Sequence, residues 1–166
     1  MRDSSERALN EHAKSKAKGL FARPGFMIRR LHQIYVSIYL QECEAYGTTP
    51  VQSSVLQVLL MRPGADQVSL AADIGIDRTT TSNVLSRLEA RGLVRREATE
   101  NDRRIRRSYL TEAGQALIIE MQEALERAHR RLIEPLPEEE RRLFITQLHR
   151  LVEANNDVGR ALLRNL

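Results

Sequence analysis

The sequence predicts a mainly α-helical fold with one small β-hairpin. Three observations carry that prediction. Apolar residues recur at helical spacing over most of the chain, in segments bounded by caps and breakers. Only Leu93–Glu97 and Ile105–Leu110 are short and β-like, and the polar run Ala98–Arg104 between them is turn-prone. Aromatics are 4% of the 166 residues and Trp is absent, which favours aliphatic helix packing.

Residues 1–22 are polar and basic, with no apolar core of a secretory signal, and read as an arm. Arg23-Pro24-Gly25 punctuates its end. A first helix is expected from about Phe26 to Tyr46, with Met27, Leu31, Ile34 and Ile38 at helical spacing and Gly47 as its stop. Thr49-Pro50-Val51-Gln52 starts a second helix: Thr49 caps, proline suits the first position, and Gln52 completes a capping box. Its apolar face is Val55, Leu56, Leu59 and Leu60, and Arg62-Pro63-Gly64 stops it.

Ser69 is expected to cap a short third helix, Leu70–Ile74. Gly75 supplies a left-handed stop and Asp77 the next cap. The fourth helix, Arg78–Arg91, turns Val84, Leu85 and Leu88 inward and Thr79, Thr80, Asn83 and Arg87 outward. Gly92 closes it. After the hairpin, Thr111 caps a fifth helix reaching about Ile133, with Leu117, Met121, Leu125, Ala128 and Leu132 inward. Pro135-Leu136-Pro137 breaks it. In a last helix, Phe144, Leu148, Leu151, Asn155, Val158 and Leu162 alternate four- and three-residue steps, a heptad-like seam.

The net charge of +4 is mild, but its placement is not. Between Arg78 and Leu110 lie nine arginines against four acidic residues, a local +5, while the other 133 residues carry 17 basic and 18 acidic side chains. Arginine's planar fork binds phosphate bidentately. A basic segment inside an otherwise neutral chain is the footprint of nucleic-acid binding.

A short helix, a glycine turn and a second helix with a polar outer face make a helix-turn-helix. Thr79, Thr80 and Asn83 are short enough to reach base edges in a major groove, and Arg78 and Arg87 flank them for phosphate or guanine. The hairpin is then a wing with Arg103 and Arg104 at its tip, suited to the negative potential of a minor groove.

Four motifs occur in order: Leu70-Ala71-Ala72-Asp73-Ile74-Gly75-Ile76-Asp77-Arg78-Thr79-Thr80, Arg87-Leu88-Glu89-Ala90-Arg91-Gly92-Leu93-Val94, Asn101-Asp102-Arg103-Arg104 and Leu110-Thr111-Glu112-Ala113-Gly114. Together they closely resemble the MarR (multiple antibiotic resistance regulator) family of bacterial transcription factors. The resemblance implies a winged helix-turn-helix flanked by N- and C-terminal helices that form a homodimerisation domain. It implies an arm at 1–22, a first dimerisation helix at 23–48, a DNA-binding domain at 49–114 and C-terminal dimerisation helices at 115–166. The expected DNA-binding residues are Ser69, Arg78, Thr79, Thr80, Asn83, Arg87, Asp102, Arg103 and Arg104, with Asp102 shaping the wing and Arg104 in the minor groove. Ser69 serves either a phosphate or capping alone. Phe144, Leu148, Leu151 and Leu162 are the expected dimer contacts. The implied partners are a pseudo-palindromic double-stranded operator and a second copy of the chain, in the cytoplasm and without a membrane; the longest apolar runs, Val58–Met61 and Ala116–Ile119, are four residues.

The resemblance also implies a repressor released by a small ligand, often an aromatic acid. His32, Tyr35, Tyr39 and Cys43 lie on one stripe of the first helix, an aromatic wall with polar handles. Arg23, Arg29 or Arg30 would meet a carboxylate or phosphate. Dimer packing with satisfied tyrosine hydroxyls accounts for the same stripe. The run from Arg23 to Gln33 resembles the branch controlling aromatic-acid breakdown, some members of which sense aryl-CoA thioesters. The effector is therefore expected to be an aromatic acid or acyl-CoA.

Two alternatives stand beside this reading. One is a regulator responding to oxidation of Cys43, although the family's peroxide-sensing cysteine lies near the start of the first helix. The other is a helical interaction module that does not bind DNA, which would have no need of Arg103 and Arg104 on a hairpin. No cofactor or metal is expected: His32 and Cys43 stand eleven residues apart, about 16 Å along a helix, and no Cys-x-x-Cys or His-Glu-x-x-His spacing occurs. His129 and His149 are expected at the surface. No Gly-x-Gly, P-loop or nucleophile elbow suggests an enzyme.

Overall fold

In the computed structural model, which describes residues 19–98, 106–159 and 161–164, proline opens the first helix. α1 (Pro24–Glu42) begins two residues before the expected start, because Pro24 at its first position lacks only an N–H that the helix cannot use. It ends earlier than expected. Glu44–Tyr46 forms a separate 3-10 turn, and Gly47 adopts φ 58°. α2 (Pro50–Met61) carries the full capping box: Gln52 N–H donates to Thr49 Oγ1, and Thr49 N–H donates to Gln52 Oε1.

A two-residue strand, β1 (Ala65–Asp66), precedes α3 (Gln67–Ile74) and was not foreseen. It explains why Ser69 is not the cap. Pairing of Ala65–Asp66 with Arg107–Ser108 holds Asp66 extended, and Asp66 Oδ1 accepts the N–H groups of both Val68 and Ser69. Ser69 lies inside the helix and donates its own hydroxyl to Asp66 Oδ2. Gly75 (φ 66°) ends α3, and Asp77 caps α4 (Arg78–Ala90), as the sequence predicts.

β2 (Val94–Ala98) and β3 (Arg106–Leu110) are antiparallel, from Val94 opposite Leu110 to Ala98 opposite Arg106. With β1 the sheet order is β1-β3-β2. The expected wing tip, with Asp102, Arg103 and Arg104, lies outside the described residues. Thr111 caps α5 (Glu112–Glu120). Met121 divides the expected single helix, and α6 (Gln122–Ile133) follows. The Met121 N–H still donates to the Leu117 carbonyl at 3.0 Å, so the axis is interrupted rather than broken.

The core joins α1 to the winged body. Tyr39, Cys43, Val55, Leu56, Leu59, Leu70, Leu85, Leu88, Ile118, Met121 and Leu125 are buried together. α1 lies along α6, where Arg127 and Arg131 both donate to Glu42 at 3.1 Å. α7 (Glu138–Ala154) buries no residue. The seam is shorter than expected. Phe144, Leu148 and Leu151 lie on α7, but Asn155 is its C-cap, Val158 ends a 3-10 turn (Asn156–Val158) and Leu162 follows in non-helical chain. The physical reason is local: Asn155 Nδ2 donates to the Leu151 carbonyl, and Asn156 bonds the backbone of Leu163 instead of continuing the helix.

Candidate nucleic-acid interface

α4 sorts its residues by chemistry. Leu85, Leu88 and Thr81 face the core, and the Thr81 hydroxyl donates to the Asp77 carbonyl at 2.9 Å. Arg78, Thr79, Thr80, Asn83 and Arg87 are exposed. Thr79, Asn83 and Arg87 are four residues apart and form one outward line. Thr80 has a second task. Its hydroxyl donates to Asp77 Oδ2 at 2.6 Å while its N–H donates to Asp77 Oδ1 at 2.9 Å. These bonds, with the side-chain bond dominant, hold the Asp77 carboxyl below its ordinary range. The Thr80 hydroxyl proton is thereby committed to Asp77, which leaves its oxygen free only to accept.

Three polar contacts orient this helix and were not legible in the sequence. Gln67 Nε2 donates to the Arg78 carbonyl at 2.8 Å and links the starts of α3 and α4. Arg96 of β2 donates through Nε to Glu89 at 2.8 Å and reaches Ser86 at 3.3 Å, so the sheet is tied to the end of α4. The Arg96 guanidinium keeps the Glu89 carboxyl below its usual range. Arg91 donates to the carbonyls of Gly47 and Tyr46. The arginine cluster is thus divided: Arg91 and Arg96 build the domain, and Arg95 lies over the Tyr109 ring at 4.5 Å. Arg78 and Arg106 line a groove of about 300 Å³ between α3, α4 and the sheet, with Asp66, Gln67 and Ser108.

The wing is anchored at its root by the motif around Thr111. Thr111 Oγ1 donates to the Gly92 carbonyl at 2.6 Å and accepts the Gly114 N–H at 3.0 Å, while Thr111 N–H donates to the Leu93 carbonyl. Gly114 must be glycine: a Cβ there would stand 2.0 Å from the Leu93 oxygen.

The aromatic stripe on α1 is divided as well. Tyr39 is fully buried, and its hydroxyl pairs with Thr48 Oγ1 at 2.8 Å, so it is a satisfied core residue. Burial raises the tyrosine's pKa. Cys43 is 1% exposed and burial pushes its thiol up, which opposes thiolate formation. His32, Arg23, Arg29 and Arg30 are exposed. Tyr35 is half-buried and stacks on His129 of α6 at 5.5 Å. His129 and His149 are exposed as expected, but the stack gives His129 a place beside the stripe. Among the described residues, no cluster of three or more His, Cys, Asp or Glu could hold a metal, and no helix is long and apolar enough to cross a membrane.

A helix-turn-helix carrying an antiparallel sheet, with a polar exposed second helix, defines a winged helix-turn-helix DNA-binding protein. The MarR family model matches residues 46–105. A regulatory protein for the hcr operon of Thauera aromatica is 30% identical over 111 residues, covering 67% of each chain. The repressor CouR, solved on a 23-mer DNA duplex, is 29% identical with a TM-score of 0.75, covering 80% of this chain and 94% of CouR. BpsR of Bordetella bronchiseptica, whose DNA binding is regulated by 6-hydroxynicotinic acid, is 29% identical with a TM-score of 0.74, covering 78% of this chain and 92% of BpsR. The chain belongs to the MarR family of transcriptional regulators, which are not enzymes.

Proposed function

We propose that two copies of this chain bind a pseudo-palindromic operator, with α4 of each in successive major grooves, and repress until a small aromatic anion releases them. The observation that carries the DNA-binding part is the exposed line Thr79, Asn83 and Arg87 on a helix pinned from three sides. Arg78 and the wing arginines Arg103 and Arg104 add phosphate and minor-groove contacts, and Asp102 holds the wing in shape. Ser69 reaches a phosphate by exchanging for it the hydroxyl bond that it donates to Asp66.

The second copy is supported by apolar surface. α7 exposes Leu143, Ile145, Leu151 and Val152, each at least 42% exposed, and α1 exposes Met27, Ile28, Ile34 and Leu40. A helix with no buried residue and this much apolar surface gains by pairing. The chain then divides into an arm (1–22), a first dimerisation helix (23–48), the DNA-binding domain (49–114) and C-terminal dimerisation helices (115–166). The effector site is the exposed part of the α1 stripe: His32 and the Tyr35–His129 stack form its wall, Arg23 and Arg29 its cationic clamp for the anion, and Tyr39 is the buried support beneath Tyr35. BpsR, which answers to an aromatic acid, supports this ligand class. The place of action is the cytoplasm.

Fluorescence anisotropy on labelled DNA from upstream of the gene tests the proposal. Binding is expected to weaken steeply with salt and to be lost in Arg104→Ala. Aromatic acids or their CoA thioesters should release the complex. Binding that no such ligand loosens would remove the effector assignment. Absence of specific binding by the folded dimer, even after selection from random sequence, would overturn the operator assignment.

A further inference from the structure

Beyond α7 the chain returns to the helix-turn-helix. Asn156 brackets Leu163: its Nδ2 donates to the Leu163 carbonyl at 2.8 Å, and its Oδ1 accepts the Leu163 N–H at 2.9 Å. The next N–H, of Arg164, donates to the Ala72 carbonyl of α3 at 2.8 Å. The Leu163 side chain lies over Gly75, where a Cβ would meet its Cδ1 at 3.5 Å. Ala161–Arg164 is therefore a strap across the α3–α4 turn. Strap and turn enclose a groove of about 350 Å³, with Arg78 and Thr79 on one wall and Leu162 and Arg164 on the other.

We propose that Arg164 is a further DNA-contacting residue, set beside Arg78 and Thr79 by this strap and binding a backbone phosphate. The inference rests on α4 being the reading helix. Arg164 is exposed and has no ion-pair partner among the described residues. Its main chain is held to α3, and it lines the same groove as Arg78, from the opposite wall. An arginine that served only solubility would need no anchored backbone. Phosphate contacts of this kind fix register and orientation and carry no base preference. Asn156 and Leu163 are positioning residues that act through Arg164.

The test uses the full chain and its operator, with affinity measured between 50 and 200 mM salt. Each phosphate contact contributes about 0.9 to the slope of log K against log salt, so Arg164→Ala in a two-fold dimer should lower that slope by about 1.8. The loss should be equal on operator and random DNA, at an unchanged Tm. Arg164→Lys should restore most of the slope, and Asn156→Ala should reproduce the loss with Arg164 intact. A purely structural strap would lower Tm without lysine rescue, which overturns the inference. Wild-type affinity and slope in Arg164→Ala also overturn it when Arg78→Ala loses both. If Arg78→Ala changes nothing either, the assignment of α4 as the reading helix fails as well.

Discussion

Replacing Gly114 with alanine sets two physical effects against each other. Gly114 lies in the first turn of α5, and by helix propensity alone alanine would stabilise it by about 1 kcal/mol. The added Cβ, however, would stand 2.0 Å from the Leu93 carbonyl oxygen and 2.9 Å from its carbon. A close carbon–oxygen contact needs about 3.3 Å, so the two backbones must separate by about 1.3 Å. That carbonyl already accepts the Thr111 N–H at 3.1 Å, and the same shift takes the bond beyond hydrogen-bonding range. Overpacking costs about 1–3 kcal/mol and a buried group left unbonded about 1–3 more. Set against the propensity gain, Gly114→Ala is expected to destabilise by about 3 kcal/mol. For a chain of this size that corresponds to a Tm lowered by about 6–12 °C. Urea unfolding at fixed protomer concentration reads the effect as a lower midpoint at unchanged slope. Gly25→Ala is the control, because nothing lies within 4 Å of its built Cβ; it should be neutral or mildly stabilising. Operator affinity should fall in Gly114→Ala only, since Leu93 leads directly into β2. A Gly114→Ala protein as stable as the Gly25→Ala control would refute the reasoning.

Two further outcomes follow from ionisable groups. The Asp66 carboxyl is held below its ordinary value, chiefly by the Ser69 N–H. The unfolded chain therefore takes up this proton first as pH falls. The stabilisation is complete above about pH 3.9, the unfolded value, and is lost as pH drops through the lower folded value. Wild-type protein should lose more of its urea midpoint between pH 5 and pH 2 than Asp66→Asn, which still caps; parallel curves would sink the assignment. Cys43 should react with a thiol reagent at least about 100-fold more slowly in the native protein than in denaturant, because it is buried and burial raises its pKa. Equal rates, or loss of DNA binding on mild peroxide treatment, would restore the oxidation-sensing alternative.

The helix starts at Thr49, Asp77 and Thr111 were legible because capping is local chemistry: an acceptor side chain meets an N–H two or three residues ahead. Ser69 misled for an instructive reason. Asp66 and Ser69 are both good caps, and a strand pairing over forty residues away decides between them. A two-residue strand has no periodicity to announce it. The arginine cluster was legible as a charge excess but not as a division of labour. Arg96 and Arg91 look like Arg78 in the sequence, and only their approach to Glu89, Gly47 and Tyr46 separates them from it. The aromatic stripe was likewise legible as a helical spacing of His32, Tyr35, Tyr39 and Cys43. Its division into a buried half (Tyr39, Cys43) and an accessible half (His32, Tyr35) depends on Thr48 and on α6.

The early end of α7 changes what can hold the proposed dimer together. Continued to Leu162, the seam would have run more than two heptads. Ending at Ala154, it keeps Phe144, Leu148 and Leu151, a span of eight residues and about 10 Å. A self-sufficient coiled coil needs about three heptads or more, so this seam cannot carry the association alone. Leu162 leaves the list of seam contacts, since it sits on the strap beside the helix-turn-helix. The missing apolar area is on α1, where Met27, Ile28, Ile34 and Leu40 are exposed. Pairing through α1 would put the helix that carries His32 and Tyr35 at the interface, and Tyr35 is joined through His129 of α6 to the body that carries α4. On this reading a ligand held at His32 and Tyr35 touches the same helix that sets the distance between the two reading heads. Release from the proposed operator would then need no change within either head, only a change in their separation.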